Sequence, residues 1–409
     1  YSGRIDADFK IAAKQSDVDN ERYEKIGAKG LIVADKLHLE SDSLPLPIDL
    51  ASARLELQPQ NARLSDCNLR IGNSDFQLDG FVNNITGYVF GDGILEADVK
   101  HRSTLIDLNE LSGGMTDPEK SSAPNDTAAA MEVVRLPVDI DFKLDSEIGQ
   151  LVFGKLDIRS MKGEVAISEG AIRLSDVGMR MLGGRIATSG EYNSLPDSPE
   201  VDMDFEMEDV GFRESYEAFA MVRQLAPVME KTTGSYSTKF SYTSVLKADM
   251  TPDLQSVDAA GRLRTTKINS EPDVMKKVAD ALKDPSLKQL NINPIDLEFE
   301  IADGRLSVKP FDFQAEGIKG KVSGSTGLDQ SIDYLMDMNV PTDRISSSGL
   351  LGNTGLRLPA TVDVKVFIEG KTTSPKVRTS LGDMAGDIAE DLKEQATEIV
   401  EEKVEEVKE

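Results

Sequence analysis

Few residues in this chain are suited to chemistry, and none is grouped as catalysis requires. The 409 residues hold two histidines, His38 and His101, and one cysteine, Cys67. Each histidine lies in a separate strand-like stretch without a serine or cysteine nucleophile context, so both read as surface residues rather than as general bases. Cys67 occupies a strand-like position and reads as a buried, inert thiol. Alone, it provides neither an internal disulfide nor a thiolate metal site. The pairs Asp6/Asp8, Asp139/Asp141 and Asp202/Asp204 each set two carboxylates on the same side of one strand. A cation could bridge them weakly, but a solvated outer face is the simpler reading. Glycine-rich phosphate loops, paired-histidine helix motifs and calcium-loop patterns are absent. Asn84-Ile85-Thr86 and Asn125-Asp126-Thr127 match a glycosylation tripeptide that is common by chance. The expectation is a protein that is not an enzyme and takes no metal and no cofactor.

The elements that would position any site are mainly strands. Ile5, Ala7, Phe9 and Ile11 alternate with Asp6, Asp8 and Lys10, and Val138, Ile140, Phe142 and Leu144 with Asp139, Asp141 and Lys143. Val201 to Met207, Ile295 to Ile301 and Val362 to Ile368 repeat the pattern. Successive side chains of a strand point to opposite faces, so each segment carries one aliphatic and one charged face. Gly and Asx punctuation at Glu169-Gly170 and Asp303-Gly304 predicts antiparallel hairpins. Helical spacing predicts a helix from Phe212 to Glu230, bent or ended by Pro227, with Tyr216, Phe219, Val222, Leu225 and Met229 on one stripe. A second follows Ser270 as cap, with Val274, Val278, Ala281 and Leu282 on one side. An exposed amphipathic helix is expected from Leu381 onward.

The chain also repeats itself. Arg63-Leu64-Ser65-Asp66 recurs as Arg173-Leu174-Ser175-Asp176, and both copies reach a glycine, Gly80 and Gly190, at the same distance. A looser third copy runs from Arg305-Leu306-Ser307 to Ser323-Gly324. Repetition of this kind marks an array whose units bury their apolar faces by lying side by side.

Charge and composition exclude some functions. A net charge of -26 repels a phosphate backbone, so nucleic acid is not expected as a partner. Aromatics are 5% and Trp is absent, while Met reaches 14, which leaves the apolar faces soft and aliphatic. Such linings suit variable acyl chains better than interlocking cores. Strands far outnumber the helices that could cover them, so their greasy faces either pack on a second sheet at ~10 Å or curve inward around a groove. The residues alone leave both open. The acidic tail is repelled by anionic membranes and reads as a solvated end. The low cysteine count agrees with an oxidising compartment.

Several segments in order, Phe212 to Gly234, Asp249-Met250-Thr251-Pro252-Asp253-Leu254, Ala260-Gly261-Arg262-Leu263, Lys309-Pro310-Phe311-Asp312 and Gly324-Ser325-Thr326-Gly327-Leu328-Asp329, resemble the C-terminal region of AsmA family proteins. The resemblance runs from about Leu105 to Thr373. It implies a bacterial envelope protein with a periplasmic repeating β-groove related to bridge-like lipid-transfer proteins. It further implies anchoring in the inner membrane by an N-terminal helix that would precede Tyr1, and a role in phospholipid traffic and outer-membrane assembly, with envelope assembly proteins as partners.

The resulting expectation is a mostly β fold, an elongated curved antiparallel sheet forming a repeating β-groove, with a few short helices and a C-terminal amphipathic helix. Residues 1–111 would form its N-terminal part with the first repeat, 112–135 a mobile linker or loop, 136–373 the AsmA-like region with the second and third repeats, and 374–409 an acidic helix. The groove would carry phospholipid or another acyl lipid without chemistry, lined by Phe142, Met203, Phe205, Phe299, Met338 and Val364. The alternative is a periplasmic β-sandwich scaffold in which those side chains fill an ordinary core.

Overall fold

The alternating segments become strands, 22 of them among the described residues, and the fold is mostly β. The structure, a computed structural model, describes residues 2–12, 14–18, 27–41, 46–90, 93–111, 134–347 and 360–380. It divides into two compact units, one of Tyr1–Val210 with Lys239–Ala259 and the other of Gly211–Thr238 with Ala260–Glu409.

The first unit is an open, curved sheet of β1 (Ser2–Ala12), β2 (Gly27–Leu39), β3 (Ile48–Leu57), β4 (Asn61–Ile71), β5 (Ser74–Asn83), β6 (Leu95–Asp107), β7 (Ile140–Phe153), β8 (Leu156–Ser168), β9 (Ala171–Met181), β10 (Gly184–Asn193) and β11 (Glu200–Gly211). Each strand pairs antiparallel with the next. The exception is β6 with β7, which run parallel from Leu95↔Ile140 to Asp107↔Val152. Parallel neighbours need a crossover of about a dozen residues or more, and the Gly/Pro/Ser-rich segment after β6 supplies one. The sheet therefore continues across this segment, and the expected grouping into 1–111 and 136–373 gives way to a division after Val210. Residues 112–133, where mobility is expected, lie outside the described residues. Arg135 is fixed: its guanidinium donates to the carbonyls of Pro196 at 2.5 Å and Asp197 at 2.8 Å.

The repeat encodes a β-bulge. Ser65 and Asp66 stand opposite the single residue Asp79, between the pairs Leu64↔Gly80 and Cys67↔Leu78. Ser175 and Asp176 stand likewise opposite Ser189, between Leu174↔Gly190 and Val177↔Thr188. Asp66 and Asp176 take φ of +52° and +49°, a region that Asp tolerates better than most residues. Their amides donate at 3.2 Å to Asp79 Oδ1 and to Ser189 Oγ. One extra residue flips the side-chain parity, so Ala62 and Leu64 before the bulge share a face with Cys67, Leu69 and Ile71 after it. A bulge also bends its strand, so each copy adds curvature to the sheet.

The second unit contains β12 (Thr232–Thr233), β13 (Ser235–Val245), divided between the units, β14 (Asp258–Thr265), β15 (Ile268–Ser270), β16 (Leu290–Ile292), β17 (Asp296–Ala302), β18 (Arg305–Ala315), β19 (Ile318–Gly327), β20 (Ser331–Pro341), β21 (Thr361–Lys371) and β22 (Ser374–Thr379). Strands β17 to β22 form an antiparallel meander. The third copy carries its bulge here, with Lys309 and Pro310 opposite Ser323, between Val308↔Gly324 and Phe311↔Val322. Val308, rather than Leu306, is thus the counterpart of Leu64 and Leu174. The helix Asp273–Leu282 lays Met275, Val278, Ala279 and Leu282 on the sheet, over a core that includes Ile318, Met336, Met338, Val364 and Val366.

Three local expectations are corrected. The helix expected from Phe212 to Glu230 is Phe212–Ala218, Ala220–Leu225 and a 3-10 turn Pro227–Lys231, because Phe219 is extended at φ -119° and Pro227 can begin a turn but cannot donate a helical hydrogen bond. Ser270 does not cap the next helix: it lies in β15, its hydroxyl paired with Thr232 at 2.8 Å, and Met275 and Ala279 join Val278 and Leu282 on the buried face, with Val274 half-buried against the same core. Residues 374–379 form β22 rather than the start of the acidic helix, and the rest of that segment lies outside the described residues.

Candidate functional site

The register of the first unit sets its apolar side chains in lines that cross the strands. One line runs Cys67, Leu78, His101, Ser146 and Gly163 through β4 to β8. It resumes as Val177, Thr188 and Phe205 through β9 to β11, where a side chain at Gly163 would meet Val177. Cys67, His101, Ser146, Val177 and Thr188 in this line are buried. A neighbouring line runs Leu64, Gly80, Val99, Leu144, Val165, Leu174, Gly190 and Met203, and all eight are half-buried. The line beyond it includes Ala97, Phe142, Ile167, Ile172 and Tyr192. The face thus carries a buried line flanked by half-buried, largely apolar lines, a pattern we read as a trough with a closed floor. Cys67 and Val177 of the floor directly follow the two bulges, which ties the repeated motif to the position of the bend.

The opposite face is charged. Arg173 pairs with Glu191 at 2.8 Å, Lys162 with Glu147 at 2.6 Å and Lys239 with Glu206 at 2.6 Å, all substantially exposed. Asp204 accepts from the Ser241 hydroxyl at 2.6 Å. Among the described residues no group of three or more His, Cys, Asp or Glu side chains could hold a metal ion, and no helix is long and apolar enough to cross a membrane.

Three of the six expected lining residues lie on this face, one in each of the three lines. Phe142 faces Ala97 and Ile167, Met203 faces Gly190, and Phe205 faces Thr188 and stacks on Phe240 at 5.0 Å. Phe299 is half-buried in the second unit, opposite Val308. Met338 and Val364 are corrected from lining to core: they are 1% and 0% exposed under the helix Asp273–Leu282. Alternation assigns a residue to a face but not what lies upon that face.

His101 is also corrected, because it is only 6% exposed and belongs to the trough floor. Its Nδ1 lies 2.9 Å from Ser146 Oγ, its ring meets Phe76 at 5.7 Å, and its Nε2 is buried without a partner. Burial pushes its pKa below the ordinary histidine value, with Asp75 opposing. Burial alone would raise the Asp75 carboxyl, but the amides of Thr104 and Leu105 outweigh it and lower the pKa. Asp75 therefore serves those backbone amides, at 3.0 and 2.8 Å, and Ser146, His101 and Asp75 form no relay from acid through base to nucleophile. His38 is exposed, its pKa raised chiefly by a 2.6 Å hydrogen bond to Asp49. Cys67 is buried as expected, and burial pushes its thiol up, away from the reactive thiolate. The place of His101 was legible in its phase, since Ala97, Val99, His101 and Ser103 alternate with charged residues in β6 until Thr104.

Comparison with protein-family models, with curated proteins and with solved structures finds no match to this chain.

Proposed function

We propose that the trough of the first unit carries the acyl chains of a phospholipid or similar lipid, without covalent chemistry, in a bacterial envelope protein of the AsmA type. The observation that carries this reading is the contrast between two faces built from the same repeat. In the second unit that face is filled by a helix and reaches 0–1% exposure. In the first, a line of eight uncharged residues across β4 to β11 stays half-buried. Seven strand intervals of ~4.8 Å give roughly 34 Å of lined path. One acyl layer spans about 15 Å, half of a ~30 Å bilayer core. The wall replaces water around the chain at ~0.8 kcal/mol per buried methylene, while head groups stay near solvent.

The sequence resemblance supports the setting: the periplasm, an inner-membrane anchor, lipid traffic and outer-membrane assembly with envelope proteins as partners. Purification from a bacterial host, solvent extraction and lipid mass spectrometry test the reading. Phospholipid at about one or more per chain is expected. A folded, monodisperse protein that yields none overturns carriage and favours a scaffold that organises envelope assembly through its acidic surface.

A further inference from the structure

The trough is not uniformly greasy. His101, Ser103 and Ser146 are buried on its floor at β6 and β7, with the Phe76 ring against His101 and the Asp75 carboxylate 3.5 Å from the Ser103 hydroxyl. The Ser146 hydroxyl and His101 Nδ1 can share their hydrogen bond in two ways. If Ser146 donates to Nδ1, both of those atoms are satisfied and a single group is left over, the Nε2–H donor. If Nδ1–H donates to Ser146, the hydroxyl hydrogen and the Nε2 lone pair are both left over. Buried polar groups cost free energy when unpaired, so the first arrangement is favoured. It leaves one N–H on the floor that needs an oxygen acceptor.

We propose that His101 Nε2–H is a polar station for the ester carbonyl oxygen of an acyl lipid held in the trough, with Ser146 fixing the tautomer. This rests on the reading of the trough as a lipid carrier and adds a substrate class: ester-linked lipids over alkyl lipids of the same length. The nitrogen is closed to bulk water, so a carbonyl arriving with its chain meets little competing solvent once neighbouring side chains, Phe76 among them, part around it. A carbonyl accepts but cannot donate, which matches the group left over.

The test offers the full chain mixed vesicles of dipalmitoyl phosphatidylcholine and its dihexadecyl ether analogue, which lacks the carbonyls. The native protein should take up the ester lipid with roughly fivefold preference, as one net hydrogen bond provides. His101→Leu should take up both equally, and His101→Gln, which keeps a donor, should retain part of the preference. With two histidines in the chain, nitrogen NMR of labelled imidazoles gives an independent reading: the His101 Nε2 resonance moves with the ester lipid alone, while His38 does not. Uptake of both lipids without preference and without a shift at His101 overturns the station and leaves the carrier standing. Uptake of neither overturns both. The NMR measurement on the native chain decides the matter even if His101→Leu does not fold.

Discussion

Val364→Asp is expected to abolish folding of the second unit, whereas Phe205→Asp leaves the chain folded and strips it of lipid. Val364 is 0% exposed beneath the helix Asp273–Leu282, so a carboxylate there has no route to water. Burying even a neutral polar group unpaired costs roughly 2–7 kcal/mol and a charge costs more, against a net stability of ~5–15 kcal/mol. Phe205 is half-buried on the trough, stacked on Phe240. Its replacement loses that stacking and some burial, about 2–3 kcal/mol, equivalent to a Tm lower by about 4–12 °C. The new carboxylate stays hydrated, and acyl chains cannot pass it without removing that water. Circular-dichroism melting and lipid retention on the same preparations check both. A folded Phe205→Asp protein with its full lipid load would contradict the trough, and an unfolded one would indicate a closed core.

Gly190→Val should be the most damaging change among the glycines of the first unit's sheet, and Gly178→Ala among the least. A Cβ at Gly190 would lie 2.2 Å from the Asp202 carbonyl oxygen and 2.6 Å from Met203 Sδ, at a φ of +154°. The same approach occurs beside the other two bulges, where the Asp98 oxygen would be 2.4 Å from a Cβ at Gly80 and the Asp333 oxygen 2.3 Å from one at Gly324. Each repeat thus needs glycine so that the next strand can close on the bulge. Gly178, one strand away, has nothing within 4 Å of its Cβ position. The expected losses are about 2–4 kcal/mol for Gly190→Val and within about 0.5 kcal/mol for Gly178→Ala, read from denaturant midpoints. Equal midpoints would refute the role assigned to the repeated glycine.

These features differ in how plainly the sequence announces them. Strands such as Val201 to Met207 are legible because one charged and one apolar face can be satisfied only by a half-covered sheet. The bulge is legible too, since Leu64 and Cys67 are three apart and share a face only if an extra residue lies between them. The offset of the third copy is not, because Pro310 takes the place of the aspartate and removes the amide that the other copies use. Met338 and Val364 read like Met203, because what covers a face comes from elsewhere in the chain, here from the helix Asp273–Leu282. His101 reads as a surface residue by type, and only its phase with Ala97, Val99 and Ser103 in β6 assigns it to the apolar face. The crossover between β6 and β7 was hidden because linker composition does not tell which strands a loop joins.

The central claim, that one face of the first unit holds acyl chains, is tested most directly along β7, where faces alternate residue by residue. A photoreactive phenylalanine analogue is placed in turn at Asp141, Phe142, Lys143, Leu144 and Asp145, and the protein is irradiated in a bacterial host. Lipid adducts are then counted by mass spectrometry. The account predicts adducts at Phe142 and Leu144 and none at Asp141, Lys143 and Asp145, because the first set faces the trough and the second the solvated side. Equal labelling at all five positions, or none at Phe142 and Leu144, would contradict it.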